Sequence, residues 1–86
     1  MPNLPKANYW VYVILCEGNN YYTGVAKDVA LRFRAHLLGR GAKYTRSFKP
    51  IKIVYTEPHP DRGSAQRREA EIKNLTHKEK AMLKLV

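Results

Sequence analysis

Three consecutive segments decide the fold: YWVYVILC at residues 9–16, EGNN at residues 17–20 and YYTGV at residues 21–25. The first is an unbroken run of aromatic and aliphatic residues, which is typical of a central strand covered on both faces. The second has the composition of a tight turn, and the third returns to aromatic and β-branched residues. The three segments therefore predict a β-hairpin whose first strand lies in the middle of a sheet.

The register of this hairpin decides which side chains share a face, because successive side chains of a strand point to opposite faces. A three-residue loop at residues 17–19, ending in a left-handed asparagine, would pair Tyr12 with Gly24. Ile14 would then lie opposite Tyr22. Both phenols would share one face, and the glycine would leave space for the Tyr12 ring. A loop of two or four residues would separate the phenols.

Residues after the hairpin have clear helix signals. Asp28 is a favourable N-cap and Gly39 a favourable terminator, so we expect a helix over residues 29–38. Arg32 and His36 stand one turn apart on this helix, beside its apolar stripe, which lets them lean toward the sheet. The expected stripe consists of Val29, Ala30, Phe33 and Leu37.

The second half of the chain predicts one strand and two helices. Residues 51–55 read as the third strand, and residues 58–61 as a loop. Either Asp61 or Ser64 can cap a helix that reaches about Leu75, with Glu69 at the border of its buried stripe. That stripe consists of Ala65, Ile72 and Leu75. Thr76 and Glu79 fit a capping box that opens a last amphipathic helix through Ala81, Leu83 and Leu85.

The composition favours a polyanionic partner. The 86 residues include 16 Lys and Arg against 7 Asp and Glu, which gives a formal net charge of +9. A positive field of this size attracts nucleic acid or an anionic membrane. The basic residues are spread over loops and folded elements rather than along one amphipathic helix, so nucleic acid is the expected partner and a membrane is not.

Cysteine usage and the chain start bear on the compartment. Cys16 is the single cysteine, which excludes an intramolecular disulfide and a thiolate metal cage. The first residues have no apolar segment of signal-peptide length, and the run at residues 9–16 is too short to span a membrane. We therefore expect a cytoplasmic monomer without a disulfide-linked partner, in which residues 1–8 form a flexible leader and residues 9–86 one domain.

Residues 40–50, RGAKYTRSFKP, alternate cations with two aromatic residues. We interpret them as an exposed loop, with or without a helical turn, that binds nucleic acid through cations on phosphates and through Tyr44 or Phe48 on bases. Phe48 by itself is expected to pack into the core. The cations are Arg40, Lys43, Arg46 and Lys49. The alternative is a solvated basic loop whose aromatic residues are buried.

Four motifs in this order resemble the catalytic module of the GIY-YIG nuclease superfamily: Trp10-Val11-Tyr12, Tyr22-Thr23-Gly24, Arg32, and Ala65-Gln66-Arg67-Arg68-Glu69. The likeness is to its small stand-alone bacterial members and extends from residue 9 to about residue 81. It includes His36 and the stretch at residues 43–46. Val25 stands where the excinuclease members carry a lysine, and Lys27 is the nearby cation that could substitute.

This resemblance implies an α+β fold, with a small antiparallel three-stranded sheet flanked by helices. It also implies an endonuclease that cleaves DNA, rather than RNA, with one divalent metal, Mg²⁺ or Mn²⁺. The positions that match the family's functional residues are Tyr12 and Tyr22 for the motif tyrosines, Arg32 for the helix arginine, His36 for the following histidine and Glu69 for the metal-binding glutamate.

The chemistry assigns these residue types their roles. A guanidinium binds two phosphate oxygens at once, and a carboxylate suits an oxygen-preferring metal. A tyrosine with a pKa near ~10 is a poor base at neutral pH, so neighbouring cations must acidify it or it must act by positioning water. We expect Tyr12 to be the base, Tyr22 to orient water or phosphate, and His36 to assist.

Another function on the same fold remains open at this point. Small basic domains bind nucleic acid without cleaving it, so the alternative is a binding module with weak or no activity. Each residue also has a structural interpretation when taken singly: the tyrosines as cross-strand pairs, and Glu69 as an ion-pair partner of Lys73 one turn further on. The ordered set favours the nuclease.

Overall fold

The computed structural model describes residues 7–83, which form three strands and four helices. Residues 1–6 of the predicted leader, and Leu85 of the predicted last helix, lie outside the described residues. In chain order the elements are β1 (Tyr9–Cys16), β2 (Asn20–Ala26), α1 (Val29–Leu37), α2 (Lys43–Ser47), β3 (Pro50–His59), α3 (Arg62–Lys73) and α4 (His77–Leu83). No helix within residues 7–83 combines the length and the apolar character needed to cross a membrane.

The strands form one antiparallel sheet in the order β2-β1-β3, with helices packed against it. The predicted fold is therefore confirmed, including the central position of β1. The hairpin has the predicted register, with Tyr12 opposite Gly24 and Ile14 opposite Tyr22. Asn19 adopts the left-handed conformation at φ 59°. Because this turn closes the hairpin in three residues, both phenols lie on the same face.

The central strand β1 is buried on both faces, as its unbroken apolar run predicts. On one face Val11 and Val13 pack against Ala65 and Ile72 of α3. On the other face Tyr12, Ile14 and Cys16 pack against Val29 and Phe33 of α1, among other side chains. The sheet therefore separates two apolar clusters, and the second cluster contains the first motif tyrosine.

The strand β3 is longer than predicted. It runs from Pro50 to His59, whereas the sequence predicted a strand at residues 51–55 and a loop from Pro58 onward. Pairing of Trp10 with Pro58 and of Tyr9 with His59 extends the ladder to the start of β1. A proline is tolerated there because β3 is an edge strand, where a missing N–H donor can face solvent.

The helix α1 has nearly the predicted bounds, but the prediction of which residues form its buried stripe is partly wrong. Asp28 caps it by accepting a hydrogen bond from the Leu31 N–H at 3.0 Å. Leu37 is 55% exposed and Ala30 is exposed, whereas His36 is only 1% exposed. A polar side chain takes the buried position because both nitrogens of its imidazole find partners in the protein.

Candidate active site

A cleft with a volume of about 370 Å³ opens beside β1 and β2. It brings together four of the five residues predicted to act in catalysis and metal binding: Tyr12, Tyr22, Arg32 and Glu69. They come from β1, β2, α1 and α3, so four elements build one site. The fifth residue, His36, lies behind Tyr12 and does not line this cleft.

The two phenols are held together by the hairpin. Their ring centroids are 6.3 Å apart, with the rings tilted by 44°. Gly24 is required for this arrangement, because a Cβ atom at that position would lie 2.5 Å from Tyr12 Oη. Any side chain there would displace the phenol from the cleft.

A chain of hydrogen bonds runs from Tyr12 into the protein. Its hydroxyl lies 2.9 Å from Nε2 of His36, and both residues are buried. The other imidazole nitrogen, Nδ1, lies 2.7 Å from Oγ1 of Thr45 on α2. The structure thus joins β1, α1 and α2 through side chains that are far apart in the sequence.

Burial dominates the titration of this buried pair. It raises the pKa of Tyr12 to about 12, with a further contribution from Tyr22 and against the lowering effect of Arg32. Of the two alternatives for this phenol, acidification by neighbouring cations is therefore outweighed by burial. Burial also lowers the pKa of His36, and the Arg32 cation lowers it further. A neutral imidazole beside a protonated phenol is the state that these surroundings favour at neutral pH.

His36 should make stability depend on pH. Its pKa is lowered by folding, so below about pH 6.5 the unfolded chain binds a proton more readily than the folded one. We expect the free energy of unfolding to fall as pH is lowered from above that value through the folded pKa of His36. Urea denaturation followed at several pH values measures this slope.

Substituted proteins identify the group responsible for that slope. The variant His36→Gln should lose the slope in this window, whatever its absolute stability. The matched variant His77→Gln, which removes an exposed imidazole, should keep it. An unchanged slope in the His36 variant would contradict the assignment.

Glu69 faces the cleft from α3 with a side chain that is 24% exposed. Its Oε2 lies 3.2 Å from Nζ of Lys73 one helical turn on, so the ion pair expected as the structural alternative is present. Such helix-surface pairs stabilise by only a few tenths of a kcal/mol and are exchanged readily. This pair therefore leaves the carboxylate available to a stronger cation.

A polar cluster around Glu57 attaches the helix α3 to the strand β3. The carboxylate of Glu57 on β3 accepts hydrogen bonds from Arg68 Nε at 3.1 and 3.2 Å. Tyr55 Oη donates to the same carboxylate at 2.7 Å. These contacts fix the rotation of α3 about its axis, which keeps Glu69 directed at the cleft.

The donor set of the cleft fits a hard divalent cation. Among the described residues, Glu69 is the carboxylate that lines it, accompanied by the two phenol oxygens. Within residues 7–83 no group of three or more His, Cys, Asp and Glu side chains could hold a metal by itself. Mg²⁺ commonly binds through one or two carboxylates, with waters and substrate phosphates as the other ligands. The residues present therefore fit a metal that is completed by the substrate.

The predicted nucleic-acid-binding residues form a surface next to the phenols. Tyr44 lies 5.8 Å from Tyr22 and 5.1 Å from Phe48 between ring centroids. Phe48 is 40% exposed, so the prediction that it packs into the core is wrong. The ring of Tyr44 supports it at the surface instead. The four cations of this segment, Arg40, Lys43, Arg46 and Lys49, are exposed, and Lys27 lines the cleft itself.

Sequence reasoning missed several residues of the site. Arg62 and Gln66 line the cleft beside Glu69, and Tyr9 lines its edge. The spacing gives a signal for the first two, because residues three and seven positions before Glu69 fall on the same helical face. Thr45 belongs to the stretch at residues 43–46 that resembles the GIY-YIG family, but the sequence assigns it no role. Nothing in the sequence places it beside His36.

Comparison with known proteins shows the family of this chain. Residues 8–82 match the family described as the GIY-YIG catalytic domain. The chain therefore belongs to the GIY-YIG family, which is a nuclease superfamily whose members generally use a divalent metal. The suspected resemblance is confirmed.

The relatives include small bacterial proteins named UPF0213. One from Xanthomonas axonopodis pv. citri is 45% identical over 76% of this chain and 64% of its own length. One from Staphylococcus haemolyticus is 39% identical over 86% of this chain and 90% of its own. The matched part thus spans less than two thirds of the Xanthomonas relative but most of the staphylococcal one.

Two solved structures are similar to this fold. The solution NMR structure of a UPF0213 protein from Bacillus halodurans is 39% identical, with a TM-score of 0.54 over 87% of this chain and 80% of that one. The solution NMR structure of a protein from E. faecalis is 37% identical, with a TM-score of 0.57 over 87% and 79%. Both agree with the α+β architecture described above.

Proposed function

We propose that this protein is a divalent-metal-dependent phosphodiester hydrolase that acts on DNA as an endonuclease. The observation that carries the proposal is the cleft in which two phenols, a guanidinium and a carboxylate meet from four separate elements. This set supplies phosphate binding, proton transfer and a metal ligand, which are the three requirements of metal-assisted hydrolysis. Each of these four groups, taken alone, would have a simpler structural explanation.

Arg32 binds the scissile phosphate. Its guanidinium can donate two parallel hydrogen bonds to the phosphate oxygens, and its charge stabilises the charge that develops in the transition state. Lys27 and Arg62 line the same cleft and add to the positive potential. The phosphate is therefore drawn to the side of the cleft where Tyr12 lies.

Tyr12 transfers a proton between water and His36. With a pKa of about 12, only about one in 10⁵ of these phenols is ionised near pH 7. A mechanism that needs Tyr12 to be ionised beforehand would therefore be slow. The attacking water instead gives a proton to Tyr12 Oη while the phenol proton moves to Nε2 of His36, 2.9 Å away. The new P–O bond forms to the water oxygen as the bond to the leaving oxygen breaks; the imidazole carries the transferred proton, and the leaving alkoxide takes a proton from solvent water.

Tyr22 and Glu69 complete the site. Tyr22 orients the water or a phosphate oxygen through its hydroxyl, from the neighbouring strand. Glu69 would hold the divalent metal, which when bound would polarise the phosphate and stabilise the leaving oxygen.

The surface around the cleft suits a polynucleotide. The net charge is +9, and residues 40–49 combine four exposed cations with the exposed ring of Tyr44. Cations bind the backbone without regard to sequence, and an exposed aromatic ring can stack on a base. We propose that Arg40, Lys43, Arg46 and Lys49 contact phosphates and that Tyr44 contacts bases.

A cleavage assay tests this function. Labelled duplex, branched and single-stranded DNA are incubated with the protein and Mg²⁺ or Mn²⁺, with a chelator as the metal-free control. We expect metal-dependent cleavage, and we expect Tyr12→Phe to slow it by about 10²- to 10⁴-fold, because the phenol transfers a proton in the transition state.

The matched control is Tyr21→Phe, which removes a hydroxyl from the opposite face of the same hairpin and should cut at the wild-type rate. Binding that falls steeply with salt, without cleavage of any substrate, would show a nucleic-acid-binding module instead. Cleavage that survives Tyr12→Phe unchanged would also overturn the proposed mechanism.

A further inference from the structure

The short helix α2 places a buried hydroxyl against the imidazole of the site. Thr45 is 1% exposed, and its Oγ1 lies 2.7 Å from Nδ1 of His36. The hydroxyl of Thr45 donates a hydrogen bond to the carbonyl oxygen of Ala42 at 2.9 Å. Thr45 reaches neither the cleft nor a reacting atom, so any effect on hydrolysis must pass through His36.

The number of available protons determines which group is the donor and which the acceptor in each of these hydrogen bonds. The hydroxyl of Thr45 has one proton, and donation to the Ala42 carbonyl leaves only lone pairs facing His36. Nδ1 must then supply the proton of the 2.7 Å contact. A neutral imidazole that is protonated at Nδ1 has its lone pair at Nε2, where the Tyr12 hydroxyl lies.

The opposite arrangement is less well supported. It would have the Thr45 hydroxyl and the Ala42 N–H both donate to Nδ1, leaving the proton on Nε2. The Ala42 N–H does approach Nδ1, but at 3.4 Å this hydrogen bond is long and weak beside the 2.7 Å and 2.9 Å contacts of the Thr45 hydroxyl. The Tyr12 oxygen lies 2.9 Å from Nε2, so in the first arrangement its own proton points at the Nε2 lone pair.

We infer that Thr45 is a positioning residue, whose hydroxyl holds neutral His36 in the tautomer with the proton on Nδ1 and the lone pair directed at Tyr12. The tautomer is a property of the folded protein, and its role in hydrolysis rests on the proposed function. Without it, Nε2–H would donate to the phenol, and the phenol proton would have no acceptor.

The loop before α2 closes on the same ring. A Cβ atom at Gly41 would overlap Nδ1, Cε1 and Cγ of His36, so the backbone packs directly against the imidazole. This contact restricts rotation of the ring and keeps Nδ1 turned toward Thr45. The segment from residue 41 to residue 45 thus holds the imidazole by both shape and hydrogen bonding.

The tautomer can be measured without substrate. Two-bond ¹H–¹⁵N correlation spectra of the uniformly ¹⁵N-labelled protein, recorded above the pKa of His36, distinguish Nδ1–H from Nε2–H. We expect Nδ1–H in the wild type and in Thr45→Ser, which keeps the hydroxyl. Thr45→Val, which keeps the shape but not the hydroxyl, should shift the population toward Nε2–H.

Kinetics supply the second readout. In Thr45→Val we expect kcat for DNA cleavage to fall by about tenfold or more with little change in KM, because substrate binding does not involve this residue. Thr45→Ser should recover most of that loss. A merely structural role would lower the melting temperature of both variants without changing the tautomer.

Each result decides the inference. An Nε2–H tautomer in the wild type overturns it, and so does a Thr45→Val protein that folds, keeps Nδ1–H and cuts at the wild-type kcat. If Thr45→Val does not fold, the wild-type and Thr45→Ser spectra still decide between the tautomers. If the wild type cuts no DNA while Thr45→Val loses the Nδ1–H tautomer, the proposed function fails and the role of Thr45 stands.

Discussion

Substitution of Glu69 by glutamine is expected to slow metal-dependent cleavage severely while DNA binding is retained. The carboxylate is the acidic side chain that lines the cleft among the described residues, so its loss removes the proposed protein ligand of the metal. An amide of the same shape preserves packing on α3 but binds a divalent cation weakly. Loss of a Lewis acid that stabilises several kcal/mol of developing charge corresponds to a decrease of about 10²-fold or more in kcat.

The helix offers a close control for this experiment. Glu71 lies two residues further on, and its side chain is 66% exposed and paired with Arg68 at 3.1 Å. Glu71→Gln removes the same charge from the same helix outside the cleft and should cut like the wild type. A gel-shift titration should show that Glu69→Gln binds DNA at least as tightly as the wild type, since a negative charge near the phosphate is removed.

Two outcomes would count against this role. Cleavage by Glu69→Gln at the wild-type rate would exclude the carboxylate as a metal ligand. Equal loss of activity in both glutamate variants would point to general destabilisation of α3, which thermal unfolding of the same samples would reveal.

The geometry of the hairpin could be predicted from the sequence because local rules determine it. The turn residues fix the loop length, the loop length fixes the register, and the register places Tyr12 and Tyr22 on one face. The position of Glu69 also followed from a local rule, since helical periodicity put it at the border of a buried stripe. Each of these predictions needed only neighbours within one element or one turn.

The remaining features depend on contacts between distant segments. Phe48 lies at the surface against the ring of Tyr44, which in turn lies against Tyr22, with both pairs of rings tilted. The burial of His36 depends on hydrogen bonds to Tyr12 and Thr45. The periodicity of α1 gives no sign of these two partners, because they lie on other elements. The high pKa of Tyr12 has the same origin, because burial by the surrounding segments outweighs the lowering effect of Arg32.

Two substitutions of Arg32 distinguish the contribution of its positive charge from that of its hydrogen-bonding geometry. We expect Arg32→Lys to lower kcat by about 10²- to 10³-fold, because an ammonium cannot donate the paired hydrogen bonds of a guanidinium to a phosphate. Arg32→Ala should be slower still. The matched control is Arg34→Ala on the same helix, which removes an exposed cation away from the cleft and should leave kcat unchanged.

The pH dependence of these variants tests the coupling between Arg32 and His36. The Arg32 cation contributes to the lowered pKa of His36, so its removal in Arg32→Ala should raise that pKa. Protonation of His36 removes the lone pair that accepts the Tyr12 proton, so the acid limb of the kcat profile should move to higher pH. Arg32→Lys keeps the charge and should keep the acid limb in place while its kcat falls. An acid limb that stays fixed in Arg32→Ala would show that a group other than His36 controls it.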